Sequence, residues 1–203
     1  MSRIIAGSRG GRRLETPSGD TTRPTTDRVR EALFSTLAAW AGSASAPADD
    51  ALAGLAVLDL YAGSGAIGLE AASRGAAPVL LVESDARTAA LARRNVASLA
   101  LPVAVRTTAV ETLARTTADR AHDIAFADPP YALASDRLDA VVADLLAHGW
   151  LAPDGLLVLE RSSRSTPPRW PAAVDEAWTR AYGETVLHFA RLGADEAPAS
   201  VGP

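Results

Sequence analysis

The stretch "LAVLDLYAGSGAIGLEAASRG", residues 55–75, decides the fold of this chain. It begins as a short apolar run, passes through a glycine-rich turn and continues as a small-residue, helix-like segment that ends at Gly75. A short apolar run bounded by glycines is typical of a buried strand. Because glycine lets a backbone turn tightly and approach a ligand closely, the stretch predicts a strand, a ligand-facing loop and a helix.

The same alternation of strand and helix continues to the end of the chain. Further strands are predicted at residues 78–84, 103–108, 123–131 and 155–161, with helical patterns between them and a closing hairpin around Gly183. Such alternation predicts parallel pairing with right-handed crossovers. The expected fold class is α/β: a doubly wound, mostly parallel, seven-stranded Rossmann-like sheet with an antiparallel edge strand, preceded by a small N-terminal β-hairpin and helix.

The chain divides into four predicted parts. Residues 1–40 carry a hairpin around "SRGG" and an amphipathic helix that starts near Thr25 or Thr26. Residues 41–54 are small and polar without a period, which predicts a flexible linker. Residues 55–192 are predicted to form the main α/β domain, and residues 193–203 are expected to be a disordered tail.

Charge is distributed unevenly along the 203 residues. The net charge is −4, yet the first 30 residues carry seven arginines against three acids, a local net charge of +4. A basic cluster of this kind favours an RNA-docking role. The seven predicted RNA-binding residues are Arg3, Arg9, Arg12, Arg13, Arg23, Arg28 and Arg30.

Composition narrows the possible chemistry. The chain has no cysteine, which excludes disulfides and thiolate metal sites, and its three histidines are scattered, so no metal is expected. It has no apolar run of about 18 residues and no secretory signal, so we expect no membrane span and a cytoplasmic location.

The loop "GSGAIG", residues 63–68, matches the dinucleotide fingerprint, with Glu83 twenty residues beyond Gly63. Asp59, at the end of the preceding strand, argues against a pyrophosphate, because two like charges about 4 Å apart repel by roughly 4 kcal/mol at an effective dielectric of about 20. A ligand with a cationic end would be attracted instead. The sequence therefore favours S-adenosylmethionine, with Glu83 on the ribose hydroxyls.

The motif "DPPY", residues 128–131, ends the strand predicted to lie beside Asp59. An exocyclic amine on a nucleobase is a poor nucleophile because its lone pair is delocalised into the ring. Asp128 and the backbone carbonyl of Pro129 can accept its two N–H groups and free the lone pair, and proline fixes that carbonyl in place. Tyr131 offers a ring on which the base can stack. The motif predicts amine methylation.

Several segments resemble a known family. The stretches "DLYAGSGAIGLEAASRGA", "VESD", "DPPY", "RIIAGSRGGRRLETP" and "TRPTTDRVREALFSTL" are similar to those of the bacterial 16S rRNA (guanine-N2)-methyltransferases of the RsmD type. The resemblance covers roughly residues 3–192. It implies methyl transfer from S-adenosylmethionine to the N2 amine of guanine 966 in 16S rRNA. The implied partner is the small ribosomal subunit or an assembly intermediate, and the enzyme is expected to be a monomer.

The resemblance also assigns site residues. Asp128, Pro129 and Tyr131 would hold the target amine, and Thr108 and Ala109 would lie against the adenine of the cofactor. The family often has Asp or Asn where this chain has Thr108. The predicted cofactor-binding residues are Asp59, Tyr61, Gly63, Gly65, Glu83, Thr108, Ala109 and Asp128.

Three other functions stay open on the sequence alone. The amine of DNA adenine or of a protein glutamine presents the same geometry to Asp128. If residues 63–68 are a true dinucleotide-binding motif, the protein would be an NAD-dependent oxidoreductase. A non-catalytic RNA-binding module with the same fold is the third alternative.

Overall fold

The computed structural model describes residues 2–17 and 26–194 of the chain. Its strands are β1 (Ser2–Arg3), β2 (Arg13–Leu14), β3 (Val57–Leu60), β4 (Val79–Glu83), β5 (Val103–Thr107), β6 (His122–Ala127), β7 (Leu151–Ser162), β8 (Val174–Tyr182) and β9 (Thr185–Leu192). Its helices are α1 (Asp27–Trp40), α2 (Ala66–Ser73), α3 (Ala86–Leu99), α4 (Val110–Ala114) and α5 (Ser135–Ala147). Within these ranges, no helix has the length and apolar character needed to cross a membrane.

The main sheet has seven strands in the order β5-β4-β3-β6-β7-β9-β8. Strand β3 pairs in parallel with both β4 and β6, whereas β9 pairs antiparallel with β7 and β8. The chain first builds outward from β3 to β5 and then returns to place β6 on the other side of β3. The predicted α/β fold with an antiparallel edge is confirmed, and its topological switch point lies between β3 and β6, where ligands bind in such sheets.

Helices cover both faces of the sheet, as the crossover rule requires. One apolar cluster joins the sheet to α1, α2 and α3 through residues such as Leu33, Ile67 and Ala92. A second joins the other face to α4 and α5 through residues such as Leu113 and Val141. Helix α1 begins where the sequence predicts, because the Thr26 hydroxyl accepts a hydrogen bond from Val29 N and caps the first turn.

The N-terminal hairpin docks on α2 through a buried acid. Glu70 is fully buried, and its carboxylate accepts hydrogen bonds from Ile5 N (2.6 Å) and Ala6 N (3.0 Å) and from Arg74 Nε (2.8 Å). The hairpin residue Ile4 packs in a small apolar cluster with α2 and α3. The hairpin is therefore part of the folded core and not only a basic extension.

Residues 41–54 differ from the flexible linker that the sequence predicts. Leu52 is buried, its backbone N–H donates to Arg74 O at 2.8 Å, and the Ser43 hydroxyl donates to the carbonyls of Ala38 and Ala51. Small residues here make consecutive turns around an apolar anchor, so the linker prediction is wrong. Of the predicted tail, only residues 193 and 194 are described; the remainder lies outside the described residues.

We predict that Glu70→Ala lowers the free energy of unfolding by about 3 kcal/mol, because it leaves Arg74 and two backbone N–H groups without their buried acceptor. Urea denaturation followed by circular dichroism measures the change. Glu31→Ala, which removes an exposed acid of α1, is the matched control. An unfolding midpoint for Glu70→Ala equal to that of the control would contradict this account of hairpin docking.

Candidate active site

The loop that follows β3 turns sharply beneath an open space. Tyr61, Gly63 and Gly65 have φ of 57°, 55° and 82°, in the region that favours glycine. A Cβ on Gly65 would lie 2.7 Å from Leu81 Cδ1, so this glycine lets α2 approach the sheet closely. A Cβ on Gly63 would meet no atom within 4 Å. The loop thus packs on the sheet at one side and offers bare backbone at the other.

Asp59 braces this loop from within. Its side chain is 2% exposed, and its Oδ2 accepts a hydrogen bond of 2.8 Å from Gly68 N in the first turn of α2. Burial raises the pKa of Asp59 to about 8, the Gly68 N–H lowers it, and the nearby charge of Glu83 adds to the rise. The structure places Asp59 in a buried position that braces the loop, and its direct contact with a ligand stays a prediction.

Glu83 ends β4 beside the same loop. Its Oε2 accepts a hydrogen bond from Gly63 N at 2.9 Å, and its Oε1 accepts one from Asp85 N at 2.8 Å. The carboxylate is half-buried, so an acceptor edge remains for the ribose hydroxyls that the sequence assigns to it. Glu83 therefore joins the glycine loop to the start of α3.

The predicted adenine-contacting residues lie next to Glu83. Thr108 N donates to Glu83 O at 3.0 Å, and Ala109 is the N-cap residue of α4, with no side-chain cap. The Tyr61 hydroxyl donates to Glu111 Oε1 at 3.2 Å. Burial, followed by the charge and hydrogen bond of Glu111, raises the pKa of Tyr61, which keeps this hydroxyl protonated. Tyr61 thus links the glycine loop to α4 through its side chain.

The DPPY segment follows β6 at the same edge of the sheet. Pro129 is buried, whereas Tyr131 is 69% exposed and presents its ring to solvent. No hydrogen bond joins the Asp128 carboxylate to another residue in the described part of the chain. Burial raises the pKa of Asp128 well above its ordinary value, the charges of Glu160 and Asp59 raise it further, and Arg161 lowers it.

Four acids lie on one face of the sheet near its carboxyl edge, and Asp59 is two residues further back along its strand than the other three. Each follows, by two positions, a residue of the apolar cluster on the α1 face, and side chains two apart in a strand share a face. In the spatial order β4, β3, β6 and β7, the acids are Glu83, Asp59, Asp128 and Glu160. We refer to them below as the carboxylate row.

The carboxylate row fits a cationic ligand. Burial and mutual repulsion hold two of its members, Asp59 and Asp128, at raised pKa values, and for Asp128 the charge of Arg161 opposes this rise without reversing it. A sulfonium and an ammonium would supply that compensation, and a pyrophosphate would add to the repulsion. Together with the open Gly63 backbone and the acceptor edge of Glu83, these residues fit S-adenosylmethionine.

The predicted RNA-binding arginines have different environments. Arg13 and Arg28 are exposed. Arg3 is exposed and pairs with Asp27 at 3.2 Å. Two others, Arg9 and Arg12, donate to the carbonyls of Leu99 and Ser98 at the end of α3. Arg23 lies outside the described residues.

Arg30 corrects the sequence prediction. It is 1% exposed, and its Nη2 donates to Asp27 Oδ1 at 2.7 Å. It follows the helical spacing of Leu33, Phe34 and Leu37 and therefore faces the core with them. Arg30 cannot contact RNA from this position.

Sequence reasoning missed three polar residues of the site. Asn95 of α3 donates from Nδ2 to Ser64 O (3.0 Å) and to Glu15 O (2.9 Å), so it ties the glycine loop to the segment after the hairpin. Glu160 and Arg161 end β7 beside Asp128, and each is 8% exposed. None of the three belongs to a motif, although the β7 position next to β6 could have singled out the last two.

The fold and the site together define a Rossmann-like methyltransferase. Residues 2–191 match the family model described as "Conserved hypothetical protein 95", and the chain belongs to that family.

Two relatives and one solved structure are similar to it. The "Ribosomal RNA small subunit methyltransferase D" of Escherichia coli (strain K12) is 38% identical over 172 residues, 84% of this chain and 79% of the relative. The "Putative rRNA methyltransferase YlbH" of Bacillus subtilis (strain 168) is 33% identical over 168 residues, 78% and 81% of the two chains. The structure described as "Putative methyltransferase yhhF from Escherichia coli" superposes with a TM-score of 0.80 at 30% identity, covering 95% and 98%.

Proposed function

We propose that this protein methylates the exocyclic N2 amine of a guanine in 16S rRNA, at the position numbered 966, with S-adenosylmethionine as the methyl donor. The observation that carries the proposal is the DPPY segment, which ends β6 beside a carboxylate row suited to a cationic donor. The relatives named as small-subunit rRNA methyltransferases support the choice of substrate.

S-adenosylmethionine would supply an electrophilic methyl group on its sulfonium. The protein then has to hold a weak nucleophile in line with that methyl group, which is a matter of positioning. The Asp128 carboxylate and the Pro129 carbonyl accept the two N–H groups, so the nitrogen lone pair turns away from the ring. The exposed Tyr131 ring stacks on the flipped base.

The raised pKa of Asp128 has a use in this scheme. The ionised carboxylate accepts an N–H more strongly than the neutral acid, and burial opposes ionisation. A cationic donor bound beside it favours the ionised form. Asp128 therefore becomes a full acceptor when the methyl donor is present, which favours binding of the donor before the base.

Among the alternatives, the NAD-dependent oxidoreductase is least compatible with the site, because a pyrophosphate at the glycine loop would lie against the buried acid Asp59. Methylation of DNA adenine or of a protein glutamine needs the same amine geometry. Transfer of tritium from labelled S-adenosylmethionine to small subunits, naked 16S rRNA, DNA or protein separates these substrates. Labelling of DNA or protein, with neither rRNA substrate labelled, would reject the proposal.

RNA docking is proposed for the surface formed by the hairpin and the start of α1. In the hairpin, Arg13 of β2 lies opposite Arg3 of β1. The Arg3–Asp27 ion pair connects the hairpin to α1, where Arg28 is the next residue. These exposed arginines can engage phosphates, which positions the rRNA without reading its sequence. The hairpin and helix thus contribute both to the core and to the proposed docking surface.

We predict that Asp128→Asn lowers the single-turnover methylation rate at saturating S-adenosylmethionine by about tenfold to a hundredfold, because the amide is a weaker acceptor and adds an unwanted donor. Small ribosomal subunits are the substrate. Asp136→Asn, an exposed acid in the first turn of α5, is the control. An Asp128→Asn rate equal to that of the control would remove Asp128 from the catalytic role.

We predict that the double substitution Arg13→Ala with Arg28→Ala weakens rRNA binding. The plot of log K against log[salt] should become less steep, with a slope less negative by about 1.4 to 1.8, the contribution of two phosphate contacts. Filter binding over a range of salt concentrations measures the slope. Arg180→Ala, an exposed arginine on edge strand β8, should leave it unchanged. If Arg180→Ala has the larger effect, the docking surface lies elsewhere.

A further inference from the structure

A small pocket lies directly beside the DPPY segment. Strands β6 and β7 pair in parallel with Ala127 opposite Leu159, so the next residues, Asp128 and Glu160, are level with each other. The pocket is lined by Asp128, Pro129, Tyr131, Glu160, Arg161, Ser162 and Thr185. It therefore continues the predicted amine-binding site toward the end of β7.

The two charged residues at the end of β7 are almost fully buried in this pocket. Glu160 is 8% exposed and lies close enough to Asp128 for its charge to raise the pKa of that acid. Arg161 is also 8% exposed, and its Nη2 donates to Leu133 O at 3.1 Å. Its Nε is buried and has no hydrogen-bond partner among residues 2–17 and 26–194. The pocket thus presents an acceptor and an incompletely satisfied donor beside Asp128.

We propose that Glu160 and Arg161 select guanine by reading the part of its Watson–Crick edge that Asp128 and Pro129 leave unread; this inference rests on the proposed function. The edge of guanine runs from the N2 amine through the N1–H donor to the O6 acceptor. Asp128 and the Pro129 carbonyl take the amine, Glu160 accepts from N1–H, and Arg161 donates to O6.

The same pocket rejects adenine. In adenine, the ring nitrogen beside the amine carries no hydrogen and is itself an acceptor, so it would face the Glu160 carboxylate without a hydrogen bond. A site that hydrogen-bonds one edge discriminates against a base lacking that pattern by roughly tenfold to a hundredfold for each good contact. This discrimination is what the DPPY motif alone cannot provide, because it engages only the amine.

The test compares guanine with 2,6-diaminopurine at the methylated position of a ligated 16S rRNA. The analogue keeps the N2 amine but has an acceptor at N1 and an amine in place of O6. We expect wild-type enzyme to favour guanine in kcat/KM by at least about tenfold. Glu160→Gln and Arg161→Met should each narrow that ratio by about fivefold or more, chiefly through a lower rate on guanine. Glu176→Gln, an exposed acid on β8, should leave the ratio unchanged.

Binding of S-adenosylmethionine, measured by calorimetry, shows whether each variant is folded, and it should stay within a few-fold of the wild-type value. An equal loss on both bases would mean that Glu160 and Arg161 act only through Asp128 or through the fold, and it would overturn the inference. A wild-type enzyme that does not distinguish the two bases would overturn it without any variant. Failure of the proposed function has a different signature, namely that wild-type enzyme leaves guanine-containing rRNA unmethylated while it methylates another substrate.

Discussion

The accumulation of negative charge at one edge of the sheet is the constraint on which the rest of the site depends. Four adjacent parallel strands each carry an acid at or near the carboxyl end on the same face, and burial and mutual repulsion raise the pKa of both Asp59 and Asp128. Gathering several carboxylates at a largely buried edge is costly in a folded protein, because burial and like charges both oppose ionisation. Their presence at the topological switch point is accounted for by a ligand that brings positive charge. Under the proposed function, the methyl donor would be both the reagent and the counterion of the site.

The surrounding fold keeps these charges close together despite their repulsion. Asp59 is held by the Gly68 N–H at the start of α2, and Glu83 is held by the Gly63 N–H of the loop. Helix α2 is in turn fixed to the hairpin through Glu70. The glycines matter because Gly65 lets α2 approach the sheet closely and Gly63 leaves bare backbone for a cofactor. The elements that bind the cofactor and the elements that carry the proposed RNA surface thus share one packed core.

Much of this arrangement could be predicted from the sequence because it depends on patterns with a physical period. The alternation of apolar strands and helices gave the sheet, and acids at the ends of consecutive strands, such as Asp59 and Glu83, gave its functional edge. The roles of other site residues depend on how the helices pack on the sheet, which the sequence pattern does not show. Asp59 follows a strand in the expected way, but only the packing of α2 shows that it braces a backbone N–H. Arg30 was assigned to the surface by charge, although its spacing from Leu33 and Phe34 places it in the core.

Other features had no local signal. The segment 41–54 is small and polar, and its single apolar anchor, Leu52, does not stand out without the groove that receives it. Glu160 and Arg161 are an ordinary acid and base at the end of an apolar strand. Their proximity to Asp128 follows from strand order, because β7 lies next to β6 only after the chain has returned past β3.

The proton balance of cofactor binding tests the counterion claim most directly. In the protein without cofactor, Asp59 is largely protonated at about pH 6.5 because its pKa is raised to about 8. The ammonium of the methyl donor is already charged at this pH because α-amino groups titrate near pH 8. Calorimetry of S-adenosylmethionine binding in buffers of different ionisation enthalpy should therefore report a net release of protons, and Asp59→Asn should reduce it. Proton uptake, or a release unchanged in Asp59→Asn, would contradict a pocket in which the cofactor acts as counterion to Asp59.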